Sequence, residues 1–185
     1  TVNLTINGQN VNVPENMTIL AAARSIGVNV PTLCHLDLHE LKAVNQVGVC
    51  RVCVVEVAGA RSLVPACCTP VAEGMAVKTN TPRAVLARRT TVELLLSDHP
   101  FECLTCEKNR SCDLQKLAAD LGIQEDLRFT GQKSSHEKDH SSRAIKRNPD
   151  KCVLCRRCET MCNQVQTCGV ISADNRGFNT TIAPA

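Results

Sequence analysis

Residues 2–28 read VNLTINGQNVNVPENMTILAAARSIGV, and their patterning decides the fold of the first module. Val2–Ile6 and Gln9–Val13 alternate apolar and polar side chains, the period that lays one face of a strand on a core. Asn7-Gly8 between them is the dipeptide that best supplies the two left-handed residues of a tight hairpin turn. Thr18 stands where a helix N-cap belongs, ahead of Ile19, Leu20 and Ala23, and Gly27 ends that run before Pro31 opens an irregular stretch bearing Cys34. Val52–Val57 and Met75–Lys78 read as further strands. A strand pair, a helix and a return to short strands is the order of a β-grasp domain in an α+β chain.

The pattern then changes. From Pro82 to Leu96 the apolar period is helical, with Val85, Leu86, Val92, Leu95 and Leu96 as the expected buried face. A second helix is expected over Asp113–Leu121, stopped by Gly122. Thr130–Ser142 is polar, with a glycine, serines and mixed charges, and reads as a surface loop between modules. The expected division is 1–81, 82–130, a linker over 131–150, and 151–185, with no internal repeat.

Composition limits what holds these pieces together. The 185 residues contain three phenylalanines and no tryptophan or tyrosine, so the side chains that bury most area are nearly missing, whereas there are thirteen cysteines. The first thirty residues do not resemble an export signal and no apolar run is long enough to span a membrane, so a cytoplasmic setting is expected, in which thiols stay reduced and available to metals. The formal charge of +3 omits the negative charge that metal-bound thiolates bring. Lys and Arg are dispersed and aromatic stacking residues are few, which argues against nucleic-acid binding.

Three groups of metal donors stand out. Cys34, Cys50, Cys53 and Cys67 pair a C-x2-C with one early and one late cysteine, a spacing that suits 2Fe-2S, with structural zinc as the alternative and Cys68 as a rival to Cys67. His99, Cys103, Cys106 and Cys112 form H-x3-C-x2-C-x5-C, which fits zinc in isolation and a histidine-ligated 4Fe-4S cluster in the company of other iron-sulfur motifs. Cys152, Cys155, Cys158 and Cys162 form C-x2-C-x2-C-x3-C, the bacterial ferredoxin run, with Asn163 where a proline usually follows. In two-cluster ferredoxins the first three such cysteines serve one cubane and the fourth turns to another. Cys68 and Cys168 are left over and read as structural, Cys68 as a small buried apolar residue. His136 and His140, four apart in the polar loop, read as solvated.

The segments CRVCVVEVAGARSLVPAC (50–67), HPFECLTCEKNRSC (99–112), KCVLCRRCETMC (151–162) and NQVQTCGVISADNRGFNTTIAPA (163–185) resemble the amino-terminal iron-sulfur region of iron-only (FeFe) hydrogenases, in particular the multimeric, NAD-linked, electron-bifurcating type. Similar modules occur in the large iron-sulfur subunit of complex I and in NAD-dependent formate dehydrogenases. The resemblance implies a β-grasp 2Fe-2S domain, a small helical 4Fe-4S domain with one histidine and three cysteine ligands, and the first half of a ferredoxin-like 4Fe-4S domain. It selects Cys67 over Cys68, through the match of Leu63-Val-Pro-Ala-Cys67. It also implies that Cys152, Cys155 and Cys158 take a fourth ligand from beyond this chain, with Cys162 serving a neighbouring cluster. The partners it implies are a flavin/NAD-binding subunit, a small thioredoxin-like 2Fe-2S subunit and ferredoxin. The hydrogen-activating domain is expected on a longer polypeptide, so this stretch is an electron relay without a catalytic site. No glycine-rich phosphate loop follows a strand, which places any nicotinamide or flavin on another subunit. Two readings compete with this one: the equivalent relay of a formate dehydrogenase or complex I-like enzyme, and a zinc-stapled interaction module.

Overall fold

The structure is a computed structural model that describes residues 1–38, 40–41, 48–124 and 128–184. Part of the irregular stretch expected after Pro31 therefore lies outside the described residues. The chain divides into two compact units, Thr1–His35 with Val47–Thr91, and Leu36–Gln46 with Val92–Ala185.

In the first unit, β1 (Val2–Ile6) and β2 (Gln9–Val13) pair antiparallel from Val2↔Val13 to Ile6↔Gln9, as the alternation requires. Asn7 (φ 52°) and Gly8 (φ 84°) are both left-handed, the geometry that matches the twist of a two-residue hairpin. The register puts Val2, Leu4, Ile6, Val11 and Val13 on the buried face. Helix α1 (Ile19–Ser25) starts at Thr18, whose Oγ1 accepts the Ala21 N–H at 3.2 Å. Strands β3 (Val54–Val57), β4 (Val64–Pro65) and β5 (Ala76–Lys78) complete a sheet of order β2-β1-β5-β3-β4, with β1 and β5 parallel and the other pairs antiparallel. The strand expected from Val52 begins two residues later, because Val52 and Cys53 are taken up by the turn that carries the cysteine pair.

With so few aromatics, aliphatic side chains fill this core: Ile6, Ile19, Leu20, Val55 and Val77 are all fully buried. Leu20→Ala is expected to destabilise the unit by about 3 kcal/mol, the transfer and cavity terms of a buried leucine together. A denaturant midpoint that did not move would show that α1 does not seal this core.

Helix α2 (Pro82–Ser97) forms where the sequence places it, and of the expected inward face Val92 and Leu96 are buried and Leu95 half-buried, but Val85 and Leu86 are not. Val85 and Leu86 are 40% and 56% exposed, while the row Ala84, Arg88, Val92 and Leu96 is buried. The reason is Arg88. Its guanidinium donates to the carbonyls of Val54 (2.7 Å) and Thr79 (2.5 Å), and charge-assisted bonds of this kind outweigh the burial of two aliphatic side chains that can remain at the surface.

In the second unit, α3 (Asp113–Asp120) buries Leu114 and Leu117 and ends before Gly122, as expected. The polar stretch 131–150 is fastened by its backbone: Ser134 N–H donates to Asp98 (2.6 Å), His136 N–H donates to Asp150 (2.8 Å), and Asp139 and Arg147 exchange main-chain bonds. Glu93, only 2% exposed, accepts from Arg128 Nε at 2.5 Å. Helix α4 (Arg157–Thr160) runs on into a π-helical turn, Met161–Val165. A hairpin that the sequence did not announce follows, β6 (Ile171–Asp174) with β7 (Thr181–Pro184). Its strands carry Ala, Asp and Pro, which have little intrinsic strand preference. Among the described residues, no helix is long and apolar enough to cross a membrane.

Candidate metal centres

Cys34, Cys50, Cys53 and Cys67 are brought together in the first unit, and all four are buried. Two come together through the sheet. The β3–β4 pairing continues in the bond from Ala66 N–H to the Cys53 carbonyl (3.1 Å), which sets Cys53 beside Cys67. The opening amides of α1 fix the Cys67 segment as well: Ile19 N–H donates to the Thr69 carbonyl and Leu20 N–H to that of Ala66, each at 2.9 Å. The otherwise unpaired donors of a helix N-terminus are thus spent on the loop that bears the cysteine.

Backbone amides are aimed at these sulfurs. Cys34 Sγ accepts from the main chain of Cys50 and Val49, Cys50 Sγ from that of Val52, and Cys53 Sγ from that of Cys67. Arg51, between the paired cysteines, adopts φ 58°, the left-handed conformation that turns successive N–H groups to one side. The sulfurs also bond to one another. Side-chain hydrogen bonds from Cys50 and Cys67 hold the Cys34 thiol far below its usual range, and the bond from Cys67 brings Cys53 down to about 7. The donors move the other way, Cys50 and Cys67 being raised first by those same bonds and then by burial. Such a group gives up its first protons readily and releases the rest when metal binds. Four buried thiols, three of them accepting bonds from backbone amides, suit a thiolate-held iron-sulfur cluster.

Cys68 corrects the sequence reading, because it is exposed rather than buried. The chain turns between the two cysteines so that Cys67 faces inward, while Cys68 Sγ lies beside the Pro65 carbonyl at 3.8 Å. Gly48 (φ 86°) accommodates it, since a β-carbon there would stand 3.2 Å from Cys68 Sγ.

In the second unit, His99, Cys103, Cys106 and Cys112 line one recess, together with Glu102 and Lys151. Among the described residues no three histidine, cysteine or acidic side chains converge on a single ion-sized point. His99 follows the end of α2, Cys103 opens a single 3₁₀ turn (Cys103–Thr105), and Cys112 directly precedes α3. Burial lowers the His99 pKa, and the charge of Lys151 lowers it further, so the imidazole is neutral and keeps a lone pair for a metal.

Cys152 lies within electrostatic range of Cys155 and Cys158. Leu154 (φ 51°) and Arg156 (φ 57°) are left-handed, one in each C-x2-C step, repeating the device seen at Arg51. Cys162 is buried in the π-helical turn, whereas Cys168 is exposed with its sulfur 3.4 Å from the Gln166 carbonyl. Sequence reasoning missed how the second and third groups are joined. His99 and Cys152 line a common recess, and two ion pairs tie residues adjacent to the cysteines: Lys151 to Glu102 at 3.5 Å, and Arg157 to Asp113. The opposite charges beside the motifs were visible, but nothing local said that they would meet.

Two family models match the chain in succession. Residues 1–82 match the 2Fe-2S iron-sulfur cluster binding domain, and residues 88–126 the NADH-ubiquinone oxidoreductase-G iron-sulfur binding region. The chain is 54% identical to the NADP-reducing hydrogenase subunit HndD of Solidesulfovibrio fructosivorans over 98% of its own length and 31% of that protein. It is 37% identical to an NADH-quinone oxidoreductase subunit of Streptomyces coelicolor over 95% of this chain and 20% of that one. It therefore spans about a third or less of the curated relatives it matches. A crystal structure of an NAD+-reducing NiFe-hydrogenase superposes with a TM-score of 0.88 at 25% identity, covering 100% of this chain and 75% of that one. The chain thus joins a match to the 2Fe-2S iron-sulfur cluster binding domain to a match to the NADH-ubiquinone oxidoreductase-G iron-sulfur binding region, and it is similar over nearly its whole length to part of a subunit of an NADP-reducing hydrogenase and of an NADH-quinone oxidoreductase.

Proposed function

We propose that this chain is the cytoplasmic electron-relay region of a multi-subunit, NAD(P)-linked hydrogenase of the iron-only, electron-bifurcating kind. It passes electrons between a flavin/NAD subunit, a small thioredoxin-like 2Fe-2S subunit or ferredoxin, and a hydrogen-activating domain on the longer polypeptide. The observation that carries this reading is the group of four buried cysteines, Cys34, Cys50, Cys53 and Cys67, the first three accepting backbone amide bonds, in a β-grasp module over 1–81. The 54% identity to a hydrogenase subunit, against 37% to a quinone-oxidoreductase subunit, favours hydrogenase over a complex I-like or formate-dehydrogenase relay.

The first four cysteines hold 2Fe-2S, and His99, Cys103, Cys106 and Cys112 hold 4Fe-4S in the module 82–130. Beyond the linker 131–150, Cys152, Cys155 and Cys158 supply three ligands of a further 4Fe-4S within 151–185, its fourth coming from outside this chain, and Cys162 serves a neighbouring cluster. Such clusters, when bound, accept and release single electrons. The protein's own part is to bury the four sulfurs of the first site and aim amides at them, and to keep His99 neutral in the second. The company of two further cysteine motifs, one on each side in the sequence, supports 4Fe-4S over zinc for the second group.

Anaerobic reconstitution tests the assignment. Residues 1–185 are expected to be brown and to hold about six iron atoms stably, two in the first site and four in the second, with the third group labile. A colourless protein containing zinc would overturn the electron-transfer reading. About ten irons that survive Cys168→Ser would show that Cys162 closes a single cubane.

A further inference from the structure

Arg88 sits in the middle of α2 and is 2% exposed. Its guanidinium reaches two strand ends. Nε and Nη2 both donate to the Val54 carbonyl, at 3.1 and 2.7 Å, Nη2 also donates to the Thr79 carbonyl at 2.5 Å, and Nη1 donates to Asn80 Oδ1 at 3.2 Å. These acceptors are all neutral. Among the described residues no carboxylate pairs with Arg88, so its protons are satisfied while its charge is not. A buried cation is normally matched by an anion, because desolvating an unpaired charge is among the largest penalties in a fold.

The acid group that acts on Arg88 is Cys53, immediately before Val54 in the chain. Burial lowers the guanidinium pKa and the charge of Cys53 opposes that shift. Lys would not do the same work, because only a planar fork places two donors on one carbonyl. The fork holds the backbone immediately after Cys53, and its fixed charge lies beside a site whose negative charge comes from thiolates.

From this geometry we infer that Arg88 is a positioning residue of the first metal centre, the built-in counter-charge that raises its reduction potential while anchoring the strand that carries Cys53. The inference rests on the assignment of 2Fe-2S to Cys34, Cys50, Cys53 and Cys67. A cation held at a fixed place in a region of low dielectric favours whichever redox state of the site carries one more negative charge. Reduction adds that charge. Removing the cation makes reduction harder, and keeping it in a less ordered form preserves the potential while loosening the loop.

The experiment is redox potentiometry followed by EPR on the full-length polypeptide reconstituted with iron and sulfide, comparing wild type with Arg88→Gln, Arg88→Lys and Asn80→Asp. Gln keeps a donor and loses the charge, Lys keeps the charge and loses the fork, and Asp sets a carboxylate against Nη1 without removing Arg88. Arg88→Gln is expected to cut the ratio of reduced to oxidised 2Fe-2S at fixed poise about tenfold, a fall of about 59 mV for one electron. Arg88→Lys is expected to stay near the wild-type potential, and Asn80→Asp to fall by less than the Gln variant, since Asn80 is exposed. Potentials unmoved in both Arg88→Gln and Asn80→Asp would overturn the inference, as would equal shifts in the Gln and Lys variants, which would mean that only the hydrogen bonds matter. Should Arg88→Gln fail to load, Asn80→Asp decides. A wild-type protein without a 2Fe-2S signal would refute the underlying assignment instead.

Discussion

Cys67→Ser is expected to empty the first metal centre, removing about two iron atoms per chain and the 2Fe-2S signal, while Cys68→Ser leaves both intact. The two cysteines are neighbours in sequence, but Cys67 is 4% exposed and bonded to the Cys34 and Cys53 sulfurs, whereas Cys68 is exposed beside Gly48. For Cys68 to replace its neighbour, the segment between Pro65 and Thr69 would have to rotate, breaking the bonds from α1 to Ala66 and Thr69. Those bonds, each about 1 kcal/mol net, also hold the helix N-terminus, so substitution by slippage is disfavoured. Iron analysis with EPR on the two variants reads this directly. Iron loss in Cys68→Ser with retention in Cys67→Ser would reverse the assignment, and equal loss in both would point to a disturbed loop.

The second large effect concerns His99. Removing the imidazole in His99→Ala is expected to abolish or destabilise the proposed 4Fe-4S site, because it takes away one of the four proposed ligands and leaves the three cysteines. His99→Cys is expected to retain four irons and lower the potential of the site, since a thiolate brings negative charge where a neutral imidazole brought none. Lys151 lines the same recess and leaves the direction of the shift unchanged, as a neighbouring cation favours the more negative redox state of either ligand set alike. Redox titration of the two variants supplies the comparison. An unchanged potential in His99→Cys would remove His99 from the ligand set, and loss of zinc in place of a shifted iron signal would replace the metal.

Much of this was legible in the chain. The alternation of Val2–Val13 around Asn7-Gly8 fixes a hairpin and its register, because a one-residue slip would turn the whole apolar face to water. The cap at Thr18 and the ends of α2 and α3 follow from residues that meet their partners within a turn or two. The C-x2-C steps are local for the same reason, since two thiolates so close in sequence reach one centre without help from the fold. What stayed hidden depended on residues far apart in the chain. Val85 and Leu86 looked like the buried face of α2 because apolarity is counted residue by residue, and only the arrival of the Val54 and Thr79 carbonyls, 34 and 9 positions away, made Arg88 the better side chain to bury.

The sequence by itself thus determined the first hairpin, the positions of the main helices and the three groups of donors, all of them set by short-range sterics, hydrogen bonding and ligand spacing. Only the tertiary structure decided that Cys68 is exposed, that Arg88 is buried with its fork on the Val54 and Thr79 carbonyls beside Cys53, and that ion pairs and a shared recess join the second and third groups. These choices come from strand pairing and side-chain burial between distant segments, whose free energy exists only once the chain has folded around them.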